Sequence, residues 1–189
     1  REFRDCRRGG CPRRRRRWPR RRARMVAGYC WDWKSKTNPS AMDVVIPEHG
    51  FEMQWNLTKD GGLWITAEDS VMQIGCIHTC QGLEVDYIGV IIGPDLIVRD
   101  GRVIACPEKR SRQDQSIKGF KRAASENPVA ANEKATAIIQ NTYRTLMTRG
   151  MKGCYVYCTD GAMAQHLKDH IRGSQHLPQK SLLLAAEPP

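Results

Sequence analysis

IGCIHTCQGLEVDYIGVII, residues Ile74 to Ile92, carries the organisation of this chain. A polar knot, His78-Thr79-Cys80-Gln81-Gly82-Leu83-Glu84, sits there between two apolar runs that read as buried strands. A second junction follows, where Asn141 to Gly150 ends a helical pattern and Gly153-Cys154-Tyr155-Val156-Tyr157-Cys158 resumes as a strand. Parallel α/β sheets put their chemistry at such strand ends, where loops leave the sheet and helix termini expose free N–H groups. Two polar junctions of this kind predict one site on a shared edge.

The flanking sequence supplies the remaining elements. Met25 to Tyr29 reads as a short strand, followed by the aromatic loop Cys30-Trp31-Asp32-Trp33, and Asp43 to Ile46 reads as another strand. Pro47 to Asp69 has no assignable period. Beyond the knot, Tyr87 to Ile92 is a core strand. Leu96-Ile97-Val98 and Val103-Ile104-Ala105 flank Asp100-Gly101, a dipeptide that two-residue hairpin turns favour. Lys109 to Asn127 is charged and predicts a surface excursion with a partial helix. Ala131 to Arg149 is the strongest helix, because Ala135, Ile138, Ile139, Thr142, Tyr143, Leu146 and Met147 recur at three- and four-residue spacing. Gly150 suits a left-handed terminal position. Tyr155 to Cys158 gives the next strand and Ala162 to Ile171 the next helix, an α/β order without internal repeat.

Charge divides the chain. Residues 1–24 hold thirteen of the 31 basic side chains and two of the 20 acidic ones, so the whole formal excess of +11 lies there and the body is formally neutral. Arg13 to Arg17 and Arg20 to Arg22 repel one another, and little apolar surface is available for burial, which predicts a disordered Arg-rich tail over residues 1–23. Two readings of that tail stand: an arm that neutralises phosphates, or an extension without a role. The sequence opens without Met, which suggests a fragment. The body predicts one domain over residues 24–173, with a flexible tail over 174–189. No run of eighteen apolar residues occurs and the amino terminus lacks an apolar signal segment, so the expected location is the cytoplasm, with no membrane partner. The eight cysteines are scattered, as expected for reduced thiols acting as small apolar residues.

The two junctions carry a family resemblance. Cys76 to Glu84 resembles motif V of superfamily 1 helicases, and Tyr143 to Arg149 resembles their motif VI. More closely, Arg24 to Trp33, then Gly89 to Asp95, then Leu146 to Gly150, resemble the Schlafen-type DNA/RNA helicase domain of bacterial proteins, with similarity from about Arg24 to about Ile171. The resemblance implies the second RecA-like domain, a three-layer α/β fold with a mostly parallel sheet. That half closes over ATP and Mg2+ held by a preceding P-loop domain. It assigns Arg149 to the γ-phosphate as the catalytic residue, a role that a planar guanidinium suits. Glu84 is assigned to the ribose hydroxyl, and Gln81, Gly82 and Thr148 to the nucleotide. His78 and Thr79 match positions that touch the nucleic-acid strand. Cys76 stands where many relatives have Thr, and the resemblance offers Arg24 or Tyr29 for motif IV.

Other roles for the same residues stay open. Arg149 could cap a helix C-terminus. His78 could be a core-edge histidine, and Glu84 a solvated turn carboxylate. Trp31 and Trp33 could stack on bases or pack over the sheet edge. Cys76 with Cys80, Cys154 with Cys158, and His166 with His170 repeat at four residues, but strand spacing of this kind separates the thiols too far for one tetrahedral ion, and no metal site is expected. No G-x-x-x-x-G-K-[ST] motif occurs, and no Asp-Glu pair follows an apolar strand. The expectation is the C-terminal motor half of a helicase or translocase, inactive alone and dependent on a missing amino-terminal P-loop domain and on single-stranded or duplex nucleic acid. Competing expectations are a non-catalytic nucleic-acid-binding module and an inactive helicase remnant.

Overall fold

In the computed structural model the described residues are 23–56, 64, 68–80, 82 and 84–175. Among them eight strands and three helices follow in the order β1 (Ala23–Ala27), β2 (Val44–Ile46), β3 (Phe51–Trp55), β4 (Gln73–Gly75), β5 (Val85–Ile92), β6 (Leu96–Arg99), β7 (Arg102–Ala105), α1 (Phe120–Glu126), α2 (Pro128–Met147), β8 (Gly150–Cys158) and α3 (Gly161–Gln175). Six strands form one sheet in the order β2-β3-β4-β1-β5-β8, and β6 with β7 forms a separate hairpin. All pairings in the large sheet are parallel except β2 with β3. The protein is therefore α/β with a mostly parallel sheet.

Strand β5 explains why this arrangement is stable. Val85, Ile88, Val90, Ile91 and Ile92 are buried, the near-continuous apolar run of a strand paired on both sides and covered on both faces. Two clusters flank it. One unites Val26, Val90, Ile88 and Ile92 with Ile139, Tyr143 and Leu146 of α2 and Met163 of α3. The other joins Ala27, Ile74 and Ile91 to Val44, Ile46, Trp55 and Tyr29, and contains no helix residue. Among the described residues the helices thus pack against one face, while the curled β2–β3 end and loop aromatics serve the other. The three-layer arrangement expected from the sequence calls for helices on both faces, and among the described residues the second face carries none.

Helix α2 begins where local chemistry directs. The Asn127 side chain accepts from the Ala130 N–H at 3.1 Å, and Pro128 follows at the first position, where its missing N–H costs nothing. Its other end differs from expectation. Thr148 is the C-cap with φ −83°, and Gly150 has no positive φ but opens β8. A Cβ at Gly150 would lie 2.3 Å from the Gly153 carbonyl oxygen and 2.9 Å from Ile88, so close packing, not a left-handed turn, requires glycine there. The hairpin turn is as predicted, with positive φ at Asp100 (51°) and Gly101 (73°).

The unassigned segment after Pro47 contains β3, whose strand pattern is hidden because Phe51, Met53 and Gln54 are only partly buried. The tails predicted over 1–23 and 174–189 lie outside the described residues except at their inner ends: Ala23 opens β1, and residues 174–175 complete α3. Among the described residues no helix is long and apolar enough to cross a membrane.

Candidate functional site

The polar knot is the crossover from β4 to β5. Gly75 and Val90 both stand level with Val26 of the intervening strand β1, whereas the knot rejoins the sheet five residues earlier, at Val85. The connection therefore starts near the carboxyl ends of the strands and finishes at their amino ends, roughly 17 Å away at the usual rise per residue. The expected single site divides accordingly. His78 and Thr79 lie at the carboxyl edge, and Gly82 and Glu84 at the amino edge.

At the amino edge the two junctions meet through main chain. Val85 pairs with Gly150, and the Val85 N–H donates to the Arg149 carbonyl at 2.9 Å. Glu84 and Arg149, each one residue before these partners, are brought side by side. Glu84 is exposed, and its carboxylate takes no hydrogen bond among the described residues. Gly82 is exposed at φ +69°, and a Cβ there would meet nothing within 4 Å. Arg149 is half-buried and partly occupied: Nε donates to the Thr145 carbonyl at 3.1 Å and Nη2 to the Thr148 hydroxyl at 3.2 Å. Thr148 in turn donates to the Thr145 carbonyl at 3.0 Å, so it braces the arginine and the helix end. Burial pushes the Cys80 thiol up to about 12, with Cys76 adding to the shift, while the Thr79 hydroxyl and the Arg149 charge pull the other way. Arg149 is thereby felt by the knot itself. Gln81, predicted beside it, lies outside the described residues.

These residues leave polar groups without partners among the described residues at the amino edge. They offer an open carboxylate, a guanidinium whose Nη1 has no partner among the described residues, and a glycine that leaves space for close approach. Among the described residues no three His, Cys, Asp or Glu side chains come together to hold a metal ion. Cys76 and Cys80 belong to a turn, not a strand, and both are buried.

The carboxyl edge is built by side chains. Tyr143 projects from α2 into the ends of β1 and β5, where its hydroxyl accepts from the Gly93 N–H at 2.9 Å and donates to Asp95. A Cβ at Gly28 would lie 1.9 Å from that hydroxyl, so Gly28 makes the approach possible. Asp95 also takes Arg110 Nη1 at 2.8 Å, and Arg110 Nε donates to Asp114. All three charged side chains are almost wholly buried. Burial alone would lower the Arg110 pKa, but Asp114 and Asp95 hold it above the ordinary value. Burial and the nearby Asp95 push the Cys30 thiol well up. This network was invisible as a site in the sequence, since Lys109 to Asn127 reads as surface. The one signal for it was the four-residue spacing of Arg110 and Asp114.

Two clefts of about 760 and 770 Å³ open beside this network. Trp31 lines the first and His78 and Thr79 the second; Arg112 and Gln115 line both. His78 is exposed and makes no hydrogen bond among the described residues. Thr79 is less free, because its hydroxyl accepts from the Cys76 N–H at 2.9 Å and closes the turn onto the Cys76 carbonyl. Trp31 is half-buried over the sheet edge, near Gly93, and its carbonyl accepts from Trp55 Nε1 at 3.2 Å.

An uncharacterized protein of Saccharomyces cerevisiae (strain ATCC 204508 / S288c) is 28% identical over 121 residues, 62% of this chain, and the chain spans about 25% of that relative's length. No solved structure matches. The family described as Schlafen group 3, DNA/RNA helicase domain, matches residues 11–160, well over half of the sequence, and this chain belongs to that family.

Proposed function

We propose that this chain is the second RecA-like motor half of an ATP-dependent DNA or RNA helicase or translocase, completed by a P-loop domain of a longer protein. In this reading the amino edge faces the nucleotide. Arg149 meets the γ-phosphate, Glu84 accepts from the ribose hydroxyl, and Gly82, Gln81 and Thr148 frame the approach. Mg2+, when bound, neutralises phosphate charge. The P-loop half would hold it together with the triphosphate, since among the described residues no carboxylates cluster at this edge. The carboxyl edge takes the nucleic-acid strand through His78, Trp31 and the main chain around Thr79.

The observation that carries this reading is the bond from the Val85 N–H to the Arg149 carbonyl. It joins the motif V-like and motif VI-like segments, distant in sequence, at one edge, with an acid and a cation adjacent. Membership of a helicase-domain family supports it. The test joins the chain to a cognate P-loop domain and measures nucleic-acid-stimulated ATP hydrolysis. Arg149→Ala is expected to lower kcat by about 10³-fold or more, the scale of losing a phosphate-directed arginine. Hydrolysis at the parent rate defeats the assignment.

One observation favours a second reading, a non-catalytic nucleic-acid-binding module. The Arg149 guanidinium already donates to Thr145 and Thr148, the arrangement of a helix-capping cation. Under that reading the joined protein binds strand with an affinity that nucleotide does not change.

A further inference from the structure

The two clefts of the carboxyl edge hold five exposed basic side chains, Lys34, Lys36, Arg112, Lys118 and Lys121. None has a hydrogen-bond or ion-pair partner among the described residues. The acids that line the same clefts are mostly committed elsewhere. Asp43 is buried and accepts from the Ser35 N–H at 2.8 Å, the Ser35 hydroxyl at 2.6 Å and the Trp55 N–H at 2.8 Å. Asp114 is occupied by Arg110 and by the Ser116 N–H at 2.9 Å. Asp32 accepts from the Ser111 hydroxyl at 2.5 Å. Glu108 alone among these acids is exposed without a partner among the described residues. The unopposed charge facing the clefts is therefore positive, the condition under which a polyanionic backbone binds.

Arg110 is not the residue that grips. It faces two buried carboxylates, Asp95 and Asp114, so the triad already carries one negative charge in excess, and a phosphate placed there would add to it. Arg112 differs. Its neighbours are fastened down: the Ser111 N–H donates to the Tyr29 carbonyl at 2.9 Å, and the Gln113 side-chain oxygen accepts from the Trp33 N–H at 2.8 Å. Between two pinned residues, Arg112 is exposed and lines both clefts. Its main chain is ordered in advance of binding, which lowers the entropy cost of the contact.

We propose that Pro107 to Lys121 is an arm that grips the sugar-phosphate backbone of a single strand running from the Trp31 cleft to the His78 cleft, with Arg112 as the phosphate contact common to both. Trp31 and Trp33, both half-buried, offer ring faces for bases along the same route. The inference rests on the reading of the carboxyl edge as the strand site.

The test uses the full chain, tail included, and compares parent, Arg112→Gln, Arg112→Lys, His78→Ala and Lys152→Gln. Lys152 is an exposed cation paired with Asp86 on β5 and serves as the control. Labelled oligothymidylate and oligouridylate are titrated across a salt series, and ultraviolet crosslinks are mapped by mass spectrometry. The expected result is several-fold weaker binding for Arg112→Gln, with the salt slope smaller by about 0.7 for one lost phosphate contact. Arg112→Lys should recover much of both, and Lys152→Gln should match the parent. If both oligonucleotides respond alike, the arm reads phosphate; a response to oligouridylate alone adds the 2′-hydroxyl as a partner. If His78→Ala weakens binding and Arg112→Gln does not, the strand site stands and the arm is overturned. If neither variant changes affinity and crosslinks fall only within residues 1–22, the strand-site reading itself fails and takes the arm with it.

Discussion

At the carboxyl edge of the sheet, α2 is held by a side chain: Tyr143 reaches the Gly93 N–H and Asp95, and Asp95 leads on to Arg110 and Asp114. At the amino edge the same helix is followed by a main-chain bond, from the Val85 N–H to the Arg149 carbonyl, and the acid and cation beside it stay largely open. One edge commits its charges to structure and borrows new ones, such as Arg112, for the surface. The other fixes its backbone and leaves its own charges for use. The difference predicts that stability and function respond oppositely to substitution at the two edges.

The sharpest break of this comparison is Arg110→Ala. It leaves two buried carboxylates facing each other without their cation, which costs about 3–5 kcal/mol. Urea unfolding monitored by tryptophan fluorescence should register a loss of this size, and the excursion should become susceptible to protease. A loss near zero would mean that the triad does not organise the edge.

Tyr143→Phe keeps the ring among Ile139, Leu146 and Val26 and removes only the hydroxyl. The buried Gly93 N–H loses its acceptor and Asp95 a donor, so the expected cost is about 1–3 kcal/mol. Thermal melts of the two proteins, combined with Arg110→Ala in a double-mutant cycle, should show coupling through Asp95. Strict additivity would uncouple the two halves of the network.

Much of the fold was legible because β5, α2 and the hairpin obey simple rules. The apolar run Tyr87 to Ile92, the helical stripe ending at Met147 and Asp100-Gly101 each announce one element. What escaped did so for physical reasons. β3 alternates poorly, and its place in the sheet depends on parallel pairing with β4, a contact no local pattern records. Arg110 and Asp114 look like surface charges until Asp95 meets them across the chain, because burial of a charged group is a property of its partners. The two junctions that carry the candidate residues were legible as polar breaks between apolar runs. That the knot spans the sheet from edge to edge was not, since crossover geometry depends on strand register.

Asp160 joins the hairpin to the start of α3 and gives a smaller effect with a pH signature. Its carboxylate accepts from the Met163 N–H at 2.8 Å, the Val98 N–H at 3.2 Å and Arg99 at 2.8 Å. Burial alone would raise its pKa, but these donors hold it below the ordinary carboxylate value. A lowered folded-state pKa contributes stability above the unfolded value, and that contribution fades as pH falls through the folded one. Asp160→Ala should therefore cost about 1 kcal/mol at neutral pH as a lost N-cap. The gap between parent and variant should narrow below about pH 4, where an unperturbed Asp begins to protonate. A gap that stays constant into acid would assign the loss to packing.

Glu84→Gln and Arg149→Ala complete the comparison with the smallest expected effect on stability. Glu84 is exposed, so its change should stay within about 0.5 kcal/mol. Arg149 gives up a capping contact at the end of α2, worth about 0.3–1 kcal/mol. The bond that fixes this edge uses the carbonyl of residue 149, which alanine keeps. Both variants should unfold close to the parent while losing hydrolysis in the joined protein. If Arg149→Ala instead destabilises as strongly as Arg110→Ala, the guanidinium is part of the framework. The amino edge would then be built like the carboxyl edge, with no cation free for a phosphate.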